Sequence, residues 1–219
     1  MDLKDKAMAS VVNMLIKYVR KDFDKNAMNL LNLVEKLDVK KVNQTTYDGL
    51  HKALGDKNNN WYRFVKSLAL ETDEGVLKKL VPAALNVAMY SYSKRMESIE
   101  KYNCNVPWAI LMDPTAACNL KCKGCWAAEY GHQSSLSYET LARIIKEGKE
   151  LGTYMYLFTG GEPLVRKADL IRLCEENPDC AFMSFTNGTL CDDAFADELK
   201  RVGNLYLAFS IEGYEDTND

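Results

Sequence analysis

The stretch "WAILMDPTAACNLKCKGCWAAEY", from Trp108 to Tyr130, joins a short apolar run to a cysteine-rich segment. Its first six residues have the length and composition of a β-strand. Cys118, Cys122 and Cys125 then follow within eight residues, separated by three residues and then by two. Parallel βα proteins build their sites where strands end. The stretch therefore predicts a strand followed directly by a site, as at the strand ends of a parallel βα fold.

Short apolar runs alternate with amphipathic stretches from residue 108 to residue 211. This alternation is typical of parallel strands joined by crossover helices. The predicted strands are "WAILMD", "YMYLFT", "AFMSFT" and "LYLAFSI", which begin at Trp108, Tyr154, Ala181 and Leu205. The predicted helices cover residues 137–151, 167–177 and 191–203, with Ser137 as an N-cap and Gly152 and Gly203 as stops. Because the strands end in polar or glycine-rich residues, we expect those ends to line one rim.

The N-terminal half, residues 1–105, carries apolar residues at helical spacing. They are Val11, Met14, Leu15, Tyr18 and Val19, followed by Ala27, Leu30, Leu31, Val34 and Leu37. The run "GDKNNN", residues 55–60, predicts a break between two helices, the second of which starts at Trp61. Pro82 is expected at the first turn of a later helix or at a kink. We therefore predict a small all-helical domain over residues 1–105.

Residues 106–219 are predicted to form a second, α/β domain. The sequence stops just after the fourth predicted strand, without the helix that would cover that strand. We therefore expect this chain to be a fragment of a longer protein.

The composition is that of a globular protein: 47% of the 219 residues are hydrophobic and 27% are charged. The net charge of −3 provides no broad basic surface, so we expect no nucleic-acid partner. The apolar run at residues 80–90 is about half the length of a transmembrane helix. The first ten residues lack the pattern of a secretory signal. We therefore predict a cytoplasmic protein with reduced thiols and no transmembrane segment.

Three clustered thiols can hold several kinds of centre. Structural zinc usually takes four ligands as two separated pairs, but here only Cys122 and Cys125 form such a pair. A redox dithiol would use that pair alone and leave Cys118 idle. Cys104, near the start of the first strand, is the candidate fourth ligand if the centre is zinc. Three thiolates on one loop suit a four-iron cluster in which one iron stays free, and the spacing favours this centre.

Two motifs are similar to those of the radical S-adenosylmethionine (radical SAM) superfamily. The cysteines match its CxxxCxxC signature, and "GGEP", residues 160–163, matches its second motif at the end of the second strand. The resemblance covers residues 106–219 and implies the first four strands of a (βα) TIM-like barrel. It also implies a [4Fe-4S] cluster bound by Cys118, Cys122 and Cys125, with S-adenosyl-L-methionine on the free iron.

The chemistry implied by the resemblance is reductive cleavage of S-adenosylmethionine, which starts hydrogen abstraction from a substrate. Such an enzyme is an oxidoreductase or a transferase, and it takes its electron from an external donor such as flavodoxin or ferredoxin. The substrate class stays open between peptides, lipids and small molecules. No catalytic side chain is assigned, and we expect the chain on its own to be inactive.

The resemblance also assigns residues to the S-adenosylmethionine pocket. The cofactor-binding candidates are Gly160, Gly161 and Glu162 for the amino group, and Asn187, Ser210 and Glu212 for the ribose hydroxyls or the carboxylate. The two glycines are expected to let the backbone approach the methionine part closely. Many members carry an aromatic residue just before the third cysteine, where this chain has Gly124. Trp126, on the other side of that cysteine, is the candidate to contact the adenine instead.

Several residues have ordinary structural interpretations. Cys104, Cys174, Cys180 and Cys191 occur singly and are predicted to be small buried side chains without a role. His132, in the loop after the cysteines, is predicted to lie at the surface. Two other functions stay open, namely a non-enzymatic iron–sulfur electron carrier or sensor and a structural zinc module.

Overall fold

The computed structural model describes residues 3–38, 44–125, 127, 134–211 and 213–214. The chain divides into two compact units, Met1–Lys78 and Lys79–Asp219. The predicted domain boundary after residue 105 follows a change in sequence pattern and stays a prediction. By packing, residues 79–105 belong to the second unit. None of the helices in the described ranges combines the length and the apolar character needed to cross a membrane.

In its described residues, the first unit contains four complete helices, which are α1 Leu3–Lys21, α2 Phe23–Leu37, α3 Gln44–Gly55 and α4 Asn60–Glu71. Its buried apolar side chains come from all four helices and include Val12, Ile16, Phe23, Leu31, Tyr47 and Tyr62. The Asn59 side chain accepts a hydrogen bond from the Trp61 backbone N–H and caps α4. The predicted break at residues 55–60 is confirmed, because α3 ends at Gly55 and α4 begins at Asn60.

A π-helical turn separates the two helices that precede the sheet. Helix α5 covers Glu74–Leu85, the π turn covers Asn86–Tyr90 and α6 covers Ser91–Tyr102. Pro82 lies inside α5 and near its end, so its predicted place at a first turn is wrong. Proline has no backbone N–H and therefore cannot donate a hydrogen bond to the preceding turn of the helix. Irregular turns often occur near such residues. The π turn that follows is the irregularity expected near a kink-forming proline.

Within the described ranges, a four-stranded parallel sheet with the order β1-β2-β3-β4 forms the centre of the second unit. The strands are β1 Ala109–Thr115, β2 Met155–Gly160, β3 Ala181–Thr186 and β4 Leu205–Phe209. The connecting helices are α7 Tyr138–Leu151, α8 Lys167–Glu176 and α9 Asp193–Val202, with a short 3-10 turn, Pro163–Arg166, before α8. Each strand lies within one or two residues of its predicted run, which confirms the α/β fold with parallel strands.

The ends of α7 follow from its flanking residues. The Ser137 hydroxyl accepts a hydrogen bond from the Thr140 N–H at 3.1 Å and caps the first turn. Gly152 follows the last residue with a left-handed φ of 102°, a conformation that glycine adopts without strain. Gly203 ends α9 in the same way, with a φ of 71°. The predicted N-cap and both predicted stops are confirmed.

Aromatic side chains form the core between the sheet and its helices. The Phe158 and Phe182 rings stack with their centroids 5.8 Å apart. Tyr156 is fully buried and places its hydroxyl 2.9 Å from the carbonyl oxygens of Ile145 and Thr153. Burial of one such ring contributes on the order of 2–3 kcal/mol. This packing holds the parallel strands in register, so that their carboxyl ends meet at one edge of the sheet.

We predict that the second unit loses stability in alkaline solution, because it buries groups that must stay protonated. Burial raises the pKa of the Cys180 thiol to about 12 and that of the Tyr154 phenol to about 12. The ordinary values are 9.0 and 10.0, so the folded state holds both protons more tightly than the unfolded chain does. The stabilisation is complete below about pH 9 and is lost as the pH rises towards 12, a loss on the order of a few kcal/mol.

Urea unfolding followed by circular dichroism between about pH 8 and pH 11 measures this loss. The variant Cys180→Ala should depend less on pH than the wild type, whereas Cys191→Ala, at a half-buried position, should depend on pH as the wild type does. A free energy of unfolding that stays constant over this range would contradict the prediction.

Candidate functional site

The carboxyl end of β1 is irregular. Its register with β2 shifts between Met112 and Thr115, so that β1 carries one more residue than β2 at this point. Pro114 lies in this bulge, where the missing N–H of proline is tolerated. Residues 116–125, which follow β1 and carry the three cysteines, are here named the cysteine loop. Beside them, Thr115 and Ser135 form an antiparallel bridge with a hydrogen bond of 2.8 Å between their hydroxyls.

The glycine motif at the end of β2 holds the start of the cysteine loop. The Gly161 N–H donates to the Thr115 carbonyl at 2.9 Å, and the Glu162 N–H donates to the Ala117 carbonyl at 2.8 Å. A Cβ added at Gly161 would lie 2.5 Å from the Ala116 carbonyl oxygen and 2.3 Å from that of Ala117. A side chain does not fit at this distance. In this structure, Gly161 thus allows the backbone at the end of β2 to lie close to the cysteine loop.

The Glu162 carboxylate is used inside the fold. The residue is only 1% exposed. Its Oε1 accepts hydrogen bonds from the Leu164 N–H at 2.9 Å and from the Thr186 hydroxyl at 2.8 Å, and its Oε2 accepts one from the Asn187 N–H at 2.9 Å. These bonds join the end of β2 to the end of β3 and compensate for the burial of the carboxylate. The contact with an ammonium group that the sequence suggested for Glu162 stays a prediction.

The three cysteines of the loop carry free thiols. Cys122 is exposed, and Cys118 and Cys125 are half-buried. The Leu120 N–H points at the Cys118 sulfur from 3.4 Å. Gly124 adopts a left-handed φ of 77° in the turn that leads to Cys125. Hydrogen bonds to sulfur tune iron–sulfur clusters, so the Leu120 N–H is an appropriate neighbour for a cluster ligand.

The arrangement of these thiols differs from that of a site for one ion. Across the described residues, no three Cys, His, Asp or Glu side chains lie close enough together to hold a single metal ion. Structural zinc requires four ligands around one ion. The thiolates of a four-iron cluster each bind a different iron and therefore stand farther apart. The three thiols thus form no single-ion site in the described residues, and their assignment to a cluster rests on their spacing in the sequence.

The remaining cysteines only partly follow the sequence-based interpretation. Cys174 and Cys180 are fully buried, as predicted. Cys104 is exposed, so its predicted burial is wrong. It follows Asn103, whose left-handed φ of 49° ends α6, and it lies in the connecting segment before β1. Cys191 is half-buried.

A cleft of about 260 Å³ lies beside the glycine motif. Its walls include Asp113, Ala116, Ser134, Gly160 and Gly161. Asp113 is exposed, and a Cβ added at Gly160 would lie 3.0 Å from the Asp113 Cβ, so the two residues are close neighbours. The cleft therefore offers a carboxylate and backbone groups within reach of the cysteine loop.

The candidate residues on β3 and β4 reach the same rim. The Asn187 side chain forms hydrogen bonds with Asn119 and Thr189. Ser210 is exposed at the end of β4, where its N–H donates to the Thr186 carbonyl at 2.9 Å. The structure thus brings the cysteine loop, the glycine motif and the ends of β3 and β4 to one edge of the sheet. The other residues singled out in the sequence, Trp126, His132 and Glu212, lie outside the described residues.

Three further residues belong to this rim, namely Asp113, Asn119 and Thr186, and none of them is among the site residues assigned from the sequence. Asp113 and Thr186 belong to the last residues of β1 and β3, and Asn119 directly follows the first cysteine. Their position is the sequence signal that could have identified them, because each is a polar residue at a strand end or beside a proposed ligand. Their actual partners depend on which strands become neighbours.

Comparison with known proteins identifies the second unit further. Residues 112–218 match the family model described as the radical SAM superfamily. Fe-coproporphyrin III synthase of Methanosarcina barkeri is 37% identical over 114 residues, which are 50% of this chain and 28% of that protein. GTP 3',8-cyclase of Syntrophomonas wolfei is 36% identical over 122 residues, which are 52% of this chain and 36% of that protein. The chain thus spans about a third of the length of these curated relatives.

Among solved structures, Streptococcus suis SuiB bound to S-adenosylmethionine matches with a TM-score of 0.49 and 22% identity over 57% of this chain and 30% of that chain. A second structure of SuiB matches 94% of this chain and 41% of that chain, with a TM-score of 0.47 and 18% identity.

Proposed function

Because the chain belongs to the radical SAM superfamily through residues 112–218, we propose that its second unit binds a [4Fe-4S] cluster and S-adenosylmethionine, which the whole protein cleaves reductively. The observation that carries this proposal is the cysteine loop itself. Three free thiols follow β1, and the glycine motif of β2 holds the start of their loop through two backbone hydrogen bonds. Both motifs therefore form one structural unit at the carboxyl edge of the sheet.

The donor set fits a four-iron cluster. Cys118, Cys122 and Cys125 would each supply one thiolate to one iron, and the fourth iron would keep a position for another ligand. Cys122 is exposed, so the loop is accessible from solvent while a cluster is assembled.

The cleft beside the glycine motif is the proposed place for the methionine part of S-adenosylmethionine. Gly160 and Gly161 line it with backbone and without side chains. Asp113 provides an exposed carboxylate there, which suits the cationic groups of this cofactor. The Glu162 carboxylate would help to position the same cofactor indirectly, because it holds the ends of β2 and β3 together. Asn187, Ser210 and Glu212 remain the proposed residues on the ribose side, with Trp126 beside the adenine.

Bound together, the cluster and S-adenosylmethionine supply an electron transfer that breaks the sulfonium bond and starts hydrogen abstraction from the substrate. The residues of the chain hold and orient these groups at the strand ends and limit the access of water. An external donor such as flavodoxin or ferredoxin would provide the electron in the cytoplasm. The substrate of the whole protein, whether peptide, lipid or small molecule, is left open by this proposal.

Anaerobic reconstitution of the chain with iron and sulfide tests the proposal. We expect about four iron and about four sulfide ions per chain, with a visible absorbance that dithionite bleaches. Addition of S-adenosylmethionine should change the electron paramagnetic resonance spectrum of the reduced cluster, because the cofactor binds the free iron. A cluster whose spectrum and calorimetry show no response to S-adenosylmethionine would indicate an electron carrier or sensor. One zinc ion per chain without sulfide would indicate a structural zinc module.

A further inference from the structure

Three polar side chains connect the cysteine loop to the end of β3. Asn187 donates from Nδ2 to Oδ1 of Asn119 at 3.0 Å, and Asn119 donates from Nδ2 to Oγ1 of Thr189 at 2.7 Å. Thr189 in turn donates to Oδ1 of Asn187 from its hydroxyl at 2.7 Å and from its N–H at 3.0 Å. Each carboxamide thus uses both its donor and its acceptor, and the three side chains form a closed ring of hydrogen bonds.

We propose that this ring, the polar clamp of Asn119, Asn187 and Thr189, is a positioning device that fixes the cysteine loop for cluster binding. The inference rests on the function proposed above for the three cysteines. It assigns Asn187 a role in holding the loop, in addition to the ribose contact suggested by sequence. It also assigns a role to Asn119 and Thr189, which belong to neither of the two sequence motifs.

The β3 side of the clamp is anchored in the core. The Asn187 N–H donates to the buried Glu162 carboxylate at 2.9 Å, and the Thr186 hydroxyl donates to the same carboxylate at 2.8 Å. The Gly188 N–H donates to the Thr186 hydroxyl at 3.0 Å. Because Glu162 is 1% exposed and is held from three sides, the clamp is attached to a rigid part of the fold.

The loop side of the clamp depends on Asn119. This residue directly follows Cys118 and lies three positions before Cys122. Two other hydrogen bonds described within residues 118–125 are internal to the segment, from the Leu120 N–H to the Cys118 sulfur and from the Cys125 N–H to the Cys122 carbonyl. Asn119, in contrast, contacts residues 68 and 70 positions away in the sequence. It therefore connects the ligand segment to the rest of the unit.

A cluster with three protein ligands needs all three thiolates in place at once. A loop that is already ordered loses less conformational entropy when the cluster binds. Residues that orient the ligands of a metal without touching the metal commonly change its affinity by about tenfold to about a hundredfold. We expect the clamp to change the affinity for the cluster by a similar factor, since it restrains the backbone beside Cys118 and Cys122.

Hydrogen exchange of the chain without cluster tests the clamp directly. In Asn119→Ala and Asn187→Ala, the amides of residues 117–125 that donate hydrogen bonds should exchange about tenfold faster than in the wild type, because each variant loses at least two of the side-chain hydrogen bonds that hold this segment. The double variant should exchange no faster than the single ones, because either change opens the same ring. Asn58→Ala, at an exposed asparagine in the turn before α4, is the matched control and should exchange in this segment as the wild type does.

Iron release provides the second measurement. After reconstitution, both clamp variants should lose iron to a chelator at least about tenfold faster than the wild type or Asn58→Ala. Should Asn187→Ala fail to fold by circular dichroism, Asn119→Ala and Thr189→Val test the same ring from its exposed side.

Wild-type exchange rates in the single variants, or fully additive effects in the double variant, would overturn the clamp. A wild-type chain that takes up no iron–sulfur cluster would overturn the proposed function instead. The exchange measurement does not involve the cluster, so the two failures can be distinguished.

Discussion

Replacement of Cys122 by alanine is expected to remove the iron–sulfur cluster from the chain. With three protein ligands in all, the loss of one leaves a second iron of the cluster without a protein ligand. We expect iron and sulfide contents close to zero after anaerobic reconstitution and no bleachable visible absorbance. Any cleavage of S-adenosylmethionine by the wild-type protein, measured as 5'-deoxyadenosine, should disappear with the cluster.

The control for this experiment is Cys104→Ala. Cys104 is exposed and lies before β1, outside the cysteine loop. If the cluster is bound as proposed, Cys104→Ala should keep the iron and sulfide content of the wild type. A structural zinc site with Cys104 as its fourth ligand would behave differently, since both variants would then lose metal. A Cys122→Ala chain with full iron and sulfide would show that this thiol is not a ligand.

The variant Gly161→Ala is expected to separate the cysteine loop from β2. The added methyl group would lie 2.3 Å from the Ala117 carbonyl oxygen and 2.5 Å from that of Ala116, both of which are backbone atoms. Because Gly161 has no positive φ, the effect comes from space and not from backbone conformation. We expect a destabilisation of about 2–3 kcal/mol, at the upper end for overpacking. This corresponds to a fall in Tm of roughly 5–10 °C for a chain of this size.

The matched control is Gly49→Ala, which makes the same chemical change inside α3. A Cβ at Gly49 would meet no atom within 4 Å. Alanine is also the better helix former by about 1 kcal/mol, so this variant should be as stable as the wild type or more so. Calorimetric Tm values and iron content after reconstitution measure both variants. Wild-type Tm and iron content in Gly161→Ala would show that the loop does not need this close approach.

The positions of strands and helices in the second unit were largely predictable from the sequence. The run "AFMSFT" and strand β3 coincide, and α7 begins after Ser137 and ends before Gly152, as predicted. These features depend on neighbours in the chain, because alternation of apolar residues and capping of a helix are local properties. The spacing of the three cysteines is equally local and was sufficient to suggest an iron–sulfur centre.

Errors arose where an isolated residue was interpreted by the average behaviour of its type. Cys104 was expected to be buried because most single cysteines are, but the left-handed turn at Asn103 places it in an exposed connection. Pro82 was expected at a first turn or at a kink, and it lies near the end of α5, where a π turn follows, so the first-turn alternative is wrong. In both cases the outcome depends on how a whole helix ends and packs.

The sequence by itself determined which side chains are available to this protein, namely three thiols after one strand, a double glycine after the next, and polar residues at the ends of the others. Only the tertiary structure decided their partners. It directed Gly161 against the backbone of the cysteine loop, buried the Glu162 carboxylate between two strand ends, and joined Asn119 to Asn187 across 68 residues. The physical reason is that such contacts depend on which strands lie side by side, and strand neighbours are set by packing of the whole sheet and not by local spacing.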